Sequence, residues 1–175
     1  MKRNILFCVL FIGLVVSVFG QDVVRTFGQT QGNINLTFKG LKEGNGTITI
    51  TDYLGKVKDV IIPEKVKISE KEELPVGAIG RYAFYNEKLT SVTIPNGVTA
   101  IGRDAFNKNK LTSVIIGNSV TSIKPYAFYA NKLASITIGA NVSIDKGAFN
   151  GGFVNVYNKG GKIRSAGMTK PQIHV

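Results

Sequence analysis

Apolar residues recur through the middle of the chain in a pattern that mixes two spacings. One unit carries them at Leu89, Val92, Ile94, Val98, Ile101, Ala105 and Phe106. Val92 and Ile94 are two positions apart, which is the period of a strand. The later steps, to Ile101 and then to Ala105, are three and four positions long and are closer to a helical or 3-10 turn. The pattern therefore predicts a coil with one short strand, a turn, a short helical piece and a turn back.

This unit repeats at nearly fixed spacing. Its phenylalanines lie at positions 84, 106, 128 and 149, so the steps are 22, 22 and 21 residues. A period in the low twenties is typical of a solenoid whose repeat is one strand plus a turn or short helix. We therefore expect an α+β solenoid, mostly β, of about four coils. Its strands should form a parallel ladder with a spacing of about 4.8 Å, and its phenylalanines one internal column.

The first twenty residues differ from the rest. Lys2 and Arg3 precede an apolar run from Ile5 to Phe19, and polar residues follow Gly20. This arrangement is typical of a secretory signal peptide, and the run is short for a transmembrane span, which needs about 20 residues. An uncleaved membrane anchor is the alternative interpretation.

Five segments follow from these patterns. Ile34, Leu36 and Phe38 alternate with polar residues, as do the residues of 47–51, so 34–56 reads as a hairpin. The predicted order is a signal peptide (1–20), a flexible N-terminal segment (21–33), an N-terminal β-hairpin cap (34–56), the solenoid repeats (57–157) and a C-terminal cap or tail (158–175).

The first unit carries an insertion. Pro63 to Ile79 spans 16 positions, whereas the matching Pro95 to Ile101 spans six. The added segment, near Lys65 to Pro75, is highly charged and is predicted to be a solvated loop. A loop displayed for a partner is the alternative.

The charge balance favours acidic partners. The chain of 175 residues has 22 basic and 11 acidic residues, a net charge of +11. Without Lys2 and Arg3 the balance is 20 − 11, or +9. Anionic polysaccharide, acidic proteins and the outer face of a membrane suit such a charge. No nucleic-acid motif is evident, so no nucleic acid is expected.

Side chains for catalysis are scarce. The one histidine is His174, and the one cysteine, Cys8, lies in the N-terminal apolar run. No nucleophile–histidine pair or zinc cluster can be assembled from them. We therefore expect no catalytic, cofactor-binding or metal-binding residues, no cofactor and no enzymatic activity.

A longer phrase carries a family resemblance. The pattern Ile-Gly-x-x-Ala-Phe-x-x-Asn-Lys-Leu-Thr-Ser-Val-Thr-Ile-Pro resembles the BspA-type leucine-rich repeats of treponemes and related bacteria, and it covers Val57 to about Tyr157. The resemblance implies an exported protein used in adhesion, with host matrix proteins or bacterial surface proteins as partners. The expected location is the cell surface, the medium or the periplasm.

The strand periodicity also identifies an outward surface. If Val92 and Ile94 point inward, their neighbours point outward: Asp59, Ile61, Ser91, Thr93, Ser113, Ile115, Ser135 and Thr137. We take these residues as the candidate partner-binding strand face. The apolar residues Ile61 and Ile115, which are expected to be exposed there, are the strongest indication that a partner binds this face. The alternative is that they are ordinary β-formers on a solvated sheet.

Three further repeated features face the turns. Lys88, Lys110 and Lys132 recur in register and form a candidate anion-binding ridge, or else serve solubility. Arg81, Arg103 and Lys124 are expected to form another column. Asn109 and Asn131 recur at the entry to each strand, where they are predicted to hydrogen-bond turn backbone.

Two functions remain open at this point. The leading hypothesis is a non-enzymatic adhesin-like module that binds a protein through the strand face. The alternative is a structural protein that associates with polyanions or the envelope through charge, with membrane contact only through an uncleaved signal segment.

Overall fold

The fold consists of strands joined by turns, as seen in a computed structural model. The described residues contain sixteen strands and no helix: β1 Leu14–Val15, β2 Val24–Gln31, β3 Ile34–Lys42, β4 Ile48–Tyr53, β5 Asp59–Ile61, β6 Lys65–Lys67, β7 Glu73–Ile79, β8 Ser91–Ile94, β9 Ala100–Ile101, β10 Ser113–Ile116, β11 Ser122–Ile123, β12 Ser135–Ile138, β13 Ser143–Ile144, β14 Asn155–Asn158, β15 Arg164–Ser165 and β16 Ile173–His174. The structure describes residues 34–149 without a gap and, outside that range, only the backbone of β1, β2, β14, β15 and β16. Side chains are described for residues 37–149.

Two parallel ladders run along the solenoid. The first ladder has the order β16-β14-β12-β10-β8-β5, and the second contains the end of β7 followed by β9, β11, β13 and β15. Matching residues of successive coils are paired, as in Val92 with Val114. The predicted parallel ladder is thus confirmed. In the described part of the chain the first ladder holds six strands, whereas the sequence predicts about four coils.

The predicted helical piece is wrong. At that position each coil carries a second short strand, such as β9 or β11, followed by a run of turns. The steps of three and four residues arise because Val98 and Ile101 point inward from either side of a corner of the coil, where both are buried. A bend between two strands therefore gives the same steps of three and four residues as a helix.

The run of turns is itself stacked on the next coil. Alternate N–H groups donate to carbonyl oxygens one coil further on: Tyr82 to Arg103 at 3.1 Å, Phe84 to Ala105 at 2.8 Å and Asn86 to Asn107 at 2.9 Å. The intervening N–H group of Tyr85 donates three residues back, to Tyr82 at 3.0 Å. Because every second N–H group donates to the neighbouring coil and not to a carbonyl four residues earlier, no continuous helix forms. Each coil therefore has three sides, which are the two ladders and this turn side.

The phenylalanine column is confirmed. The rings of Phe84 and Phe106 lie 4.8 Å apart, those of Phe106 and Phe128 5.2 Å apart, and those of Phe128 and Phe149 5.6 Å apart. The planes of each pair are within 15° of parallel, and all four side chains are buried. The stacked rings exclude water from the interior along the described coils, and a buried ring of this size stabilises the fold by about 1.5–3 kcal/mol.

A second internal column binds the turns together. The Asn109 amide donates to the Phe84 carbonyl at 2.7 Å and to the Phe106 carbonyl at 2.9 Å. Its oxygen accepts the N–H of Leu89 at 3.0 Å. Asn131 repeats the arrangement one coil later. The predicted bonds from asparagine to turn backbone are confirmed, and each such residue joins two coils.

An antiparallel meander caps the second ladder. β2 pairs with β3, β3 with β4, and β4 runs parallel to β7. β3 and β4 are antiparallel neighbours within 34–56, and β2, which lies in 21–33, pairs with β3 over all eight of its residues. The Tyr53 ring stacks on Phe84 at 5.4 Å, so the cap continues the aromatic column.

The charged insertion is a folded hairpin rather than the expected solvated loop. β6 pairs with the start of β7, and at the tip the Ile68 N–H donates to the Glu72 carbonyl at 2.9 Å. Val66 and Ile68 are buried against the core. Lys42 Nζ lies 2.8 Å from Glu72 Oε1, which ties the tip to the cap. The insertion thus extends the cap instead of being freely displayed.

Predictions for the two chain ends fall largely outside the described residues. The predicted signal peptide is one of them, although β1 lies within 1–20 and pairs with β2. In the C-terminal region, expected to be a cap or tail, β15 pairs with β13 and β16 with β14. Both ladders therefore continue past the predicted end of the repeats.

Gly117→Ala is expected to lower the free energy of unfolding by about 1–3 kcal/mol, because coils touch backbone to backbone at this position. A Cβ atom there would lie 2.6 Å from the Pro95 carbonyl carbon and 2.7 Å from the Asn96 nitrogen. Urea titration measures the effect. Gly44→Ala is the control, since its Cβ would meet no atom within 4 Å. Equal midpoints for the two variants would contradict this account of coil spacing.

Candidate functional site

The outward side chains of the first ladder form the surface that we call the strand face. The predicted alternation is observed, because Val60, Val92, Val114 and Ile136 point into the core. Of the outward residues, Asp59, Ile61, Ser113, Ile115, Ser135 and Thr137 are exposed, while Ser91 and Thr93 are half-buried. The exposed fraction is 51% for Ile61 and 61% for Ile115.

Strand register arranges these residues in two columns. Asp59 lies beside Ser91, and Ser91 beside Ser113. In the other column Ile61 lies beside Thr93, followed by Ile115 and Thr137. Neighbouring strands are about 4.8 Å apart. The result is a regular surface of short side chains on which two isoleucines stand two strands apart.

Asp59 is the acidic residue of this surface. Its carboxylate accepts hydrogen bonds from the Thr90 hydroxyl at 2.6 Å and the Ser91 hydroxyl at 2.7 Å. These two hydroxyl groups lower the pKa of Asp59, because they stabilise the ionised form. Asp59 is therefore charged at neutral pH and fixes the hydroxyl groups beside it.

The predicted lysine ridge lies at the corner between the turn side and the first ladder. Backbone bonds join Lys110 to Leu89 and Lys132 to Leu111, which sets these lysines in register with Lys88. All three lysines are exposed, and among the described residues no carboxylate lies within ion-pair distance of them. The arrangement concentrates positive charge along one edge.

The other basic residues do not form one column. Lys124 donates its N–H to Ile101, whereas Gly102 makes the equivalent bond to Ile79, so Lys124 aligns with Gly102 and not with Arg103. Arg103 pairs with Asp104 at 3.3 Å and Lys124 with Asp145 at 3.7 Å. The expected column of Arg81, Arg103 and Lys124 is therefore wrong by one position, since the repeat reads Lys-Pro at 124–125 where the earlier coils read Gly-Arg.

Sequence reasoning missed four tyrosines on the turn side. Tyr82 and Tyr85 lie in one coil, and Tyr126 and Tyr129 lie two coils later. Within each pair the rings meet edge to face, at 5.5 Å and 5.6 Å. Their recurrence after 44 residues, twice the repeat length, is the sequence signal that marks them as neighbours on one surface.

The described part of the chain offers neither a metal site nor a membrane-spanning helix. No group of three or more histidine, cysteine, aspartate or glutamate side chains is placed to hold a metal ion there. Nor do these residues include a helix long and apolar enough to cross a membrane.

Comparisons with known proteins agree with the coil geometry. The family model described as BspA type leucine rich repeat region matches six copies over residues 76–157. A leucine-rich repeat protein from Bacteroides capillosus has a similar crystal structure, with 32% identity, a TM-score of 0.65 and coverage of 76% of this chain and 99% of that chain.

Two other crystal structures are less similar. A leucine rich cell surface protein from Faecalibacterium prausnitzii is 20% identical with a TM-score of 0.38, and covers 74% of this chain and 54% of its own. A leucine-rich repeat protein from Bacteroides ovatus is 17% identical with a TM-score of 0.49, and covers 81% and 49%. No functionally curated protein matches the sequence.

The repeat model and the Bacteroides capillosus structure both agree with the repeated coils described above. The match to that structure extends over nearly the whole of the other protein. The chain therefore belongs to the BspA-type leucine-rich repeat family.

Proposed function

We propose that this chain is an exported, non-enzymatic binding protein that holds a protein partner through its strand face. Leucine-rich repeat proteins are generally modules that bind other proteins, which supports the general class. The apolar run 5–19 after Lys2 and Arg3 supports export. We further propose an adhesin-like role at the cell surface, with host matrix or bacterial surface proteins as partners, which the resemblance to BspA-type repeats supports.

The exposed isoleucines are the observation that carries the choice of surface. Burial of the exposed half of each isoleucine in a partner contributes about 1–1.5 kcal/mol, because in the free protein Ile61 and Ile115 leave this apolar area in water. Around them lie short hydroxyl side chains, so a partner can approach the sheet closely. The negative charge of Asp59 marks the β5 end of this surface, and so it favours one orientation of a bound partner.

Ile61→Glu combined with Ile115→Glu is expected to abolish capture of a protein partner, because the contact would then bury two charges. Capture is measured on immobilised protein, with a panel of purified matrix proteins and with bacterial envelope fractions. Each single variant should weaken capture by about tenfold or more, which corresponds to about 1.4 kcal/mol.

Leu54→Glu is the matched control for these substitutions. Leu54 is 45% exposed and lies on the cap, so the same change of an exposed apolar residue to an acid occurs away from the strand face. Thermal unfolding of each variant checks that the fold persists. Capture that survives the double substitution, or that falls equally in the Leu54 variant, overturns the strand-face proposal.

The lysine ridge supports a second candidate, association with polyanions or the envelope through charge. Lys88, Lys110 and Lys132 lie in register on one edge, where a linear anion can meet all of them. Such binding weakens as salt rises, because the Debye length falls from about 10 Å at 0.1 M to 3 Å at 1 M. Capture that holds at high salt argues against this candidate and leaves the strand face.

A further inference from the structure

The turn side of the solenoid exposes aromatic rings rather than burying them. Tyr82, Tyr126 and Tyr129 are exposed, and Tyr85 is half-buried. We call the surface formed by these four residues the tyrosine face. It lies on a different side of each coil from the strand face, so its use by a partner is independent of the strand-face proposal, although the lysine ridge borders it.

Two of these tyrosines occupy a left-handed position that recurs from coil to coil. Tyr82 has φ of 59° and Tyr126 has φ of 60°, in the left-handed region. A residue with a Cβ atom costs about 1–2 kcal/mol there, and glycine avoids that cost. Gly147, at the same position of a later coil, has φ of 71°. The coil therefore accepts glycine at this position, and a tyrosine is not needed to form the turn.

Exposure adds to that cost, because the two rings also leave apolar surface in water. The left-handed backbone itself belongs to the repeat, because Asp104 at the same position of the intervening coil has φ of 56°. The repeat does not require an exposed aromatic ring at that position, so the exposed tyrosines point to a role outside the stability of the coil.

Positive charge surrounds the tyrosine face. The turn-side segments 80–88, 102–110, 124–132 and 145–149 contain eight basic and three acidic residues. Two of the acids are already paired, because Asp104 is buried against Arg103 and Asp145 lies 3.7 Å from Lys124. The cations therefore outnumber the carboxylates that remain available to a partner.

Several of these cations are fixed against the rings. The Arg81 guanidinium lies 4.7 Å from the centre of the Tyr82 ring, and Lys108 Nζ lies 5.5 Å from that of Tyr85. The side-chain hydrogen bond with Tyr85 raises the pKa of Lys108, so this lysine keeps its charge. Cations held in this way lose less side-chain entropy when a partner binds.

The coil between the two tyrosine pairs carries smaller residues. Asp104 replaces a tyrosine at the first position and Asn107 at the second, and both are buried. The tyrosine pairs thus stand two coils apart, or about 10 Å, with a lower strip between them. Asn107 Oδ1 in this strip is buried and has no hydrogen-bond partner among the described residues.

We propose that the tyrosine face binds an acidic, extended segment of a protein partner. The arginine and lysine side chains meet the acidic groups, and the two tyrosine pairs hold the segment from either side. Tyrosine and arginine are the residue types that carry most binding energy in protein interfaces. An acidic polypeptide is favoured over a second copy of this chain, whose own net charge is +11.

The test compares binding of a fluorescein-labelled poly-L-glutamate of about 20 residues with that of a labelled heparin fragment, by fluorescence anisotropy on the full chain. In the variant Tyr82→Asn with Tyr126→Asn, we expect affinity for poly-L-glutamate to fall by about tenfold or more. Asparagine is chosen because it tolerates the left-handed region and leaves the net charge unchanged.

Two further variants complete the test. Leu54→Asn removes an exposed apolar side chain elsewhere and should leave the affinity unchanged. Arg81→Gln should weaken binding and reduce its dependence on salt. Thermal unfolding verifies that every variant is folded. If poly-L-glutamate does not bind, or binds the tyrosine variant as tightly as the original chain, the proposal is overturned. It is overturned equally if only heparin binding depends on the tyrosines, because the partner would then be a glycan.

Discussion

Phe106→Ala is expected to lower the free energy of unfolding by about 3–5 kcal/mol, as large-to-small changes of buried aromatic residues do. The ring stacks on Phe84 at 4.8 Å and on Phe128 at 5.2 Å, and it is fully buried. Its removal leaves a cavity between two coils whose backbones are already joined by hydrogen bonds. The coils cannot close the gap, so the lost contacts are not replaced. Urea titration followed by circular dichroism measures the change.

Tyr129→Ala provides the control, because Tyr129 directly follows a member of the column and yet faces solvent. It is exposed and contacts Tyr126 at 5.6 Å. A loss below about 1 kcal/mol is expected there, since little buried surface disappears. Should both substitutions cost the same, the phenylalanine column would not be the main source of cohesion between coils.

The column itself could be predicted from the sequence because it is a repeated, buried position. Inward residues must match from coil to coil, so Phe84, Phe106 and Phe128 recur at one spacing. The same constraint applies to Asn109 and Asn131, whose amides join coils at identical places. The sequence predicts these positions because the same residue must fit the same buried environment in successive coils.

The second ladder could not be predicted in the same way. β9 and β11 are only two residues long, so no alternation of apolar and polar positions is available to mark them as strands. The turn run depends on left-handed residues such as Asp104 and Tyr82, and tyrosine gives no sequence sign of that backbone. The steps of three and four residues therefore indicate a helix, although two strands and the corner between them produce this spacing.

The many charged residues of the insertion also make its two strands hard to recognise from the sequence. Glu70 to Glu73 dominate its composition and indicate a solvated loop, yet Val66 and Ile68 are two positions apart and both are buried. The tyrosine face was missed for the opposite reason. Exposed positions need not match between coils, so Asp104 interrupts the pattern of Tyr82 and Tyr126. Binding surfaces on a solenoid are thus harder to find from sequence than its core.

Asn109→Asp is expected to destabilise the protein by about 3 kcal/mol at neutral pH, although the two side chains have almost the same shape. The amide nitrogen of Asn109 donates to the carbonyl oxygens of Phe84 and Phe106 at 2.7 Å and 2.9 Å. An aspartate places an oxygen there, and a buried acceptor facing two others costs about 1–3 kcal/mol for each group left unsatisfied. Urea titration at pH 7 measures the effect.

The same substitution should make stability depend on pH in a defined direction. Facing two carbonyl oxygens and buried, the new carboxyl group has a pKa above its usual value of about 3.9 in the folded state. The folded protein then binds the proton more tightly than the unfolded chain, so stability relative to Asn109 recovers as pH falls through the folded-state pKa. Asn109→Ala, which has no titratable group, should show a loss that does not vary with pH.

Asn131→Asp tests whether the loss of stability at Asn109 comes from burial of the site or from its hydrogen bonds to the neighbouring carbonyls. Asn131 donates to Phe106 and Phe128 at 2.9 Å and 3.0 Å, but its site is only partly buried. Water can reach the substituted group there, so the loss and its pH dependence should both be smaller. Glu87, half-buried at the corresponding position of the first coil, shows that an acid is tolerated where the site is open. Equal losses at 109 and 131 would mean that the bonds to neighbouring carbonyls, and not their burial from water, determine the stability of the asparagine column.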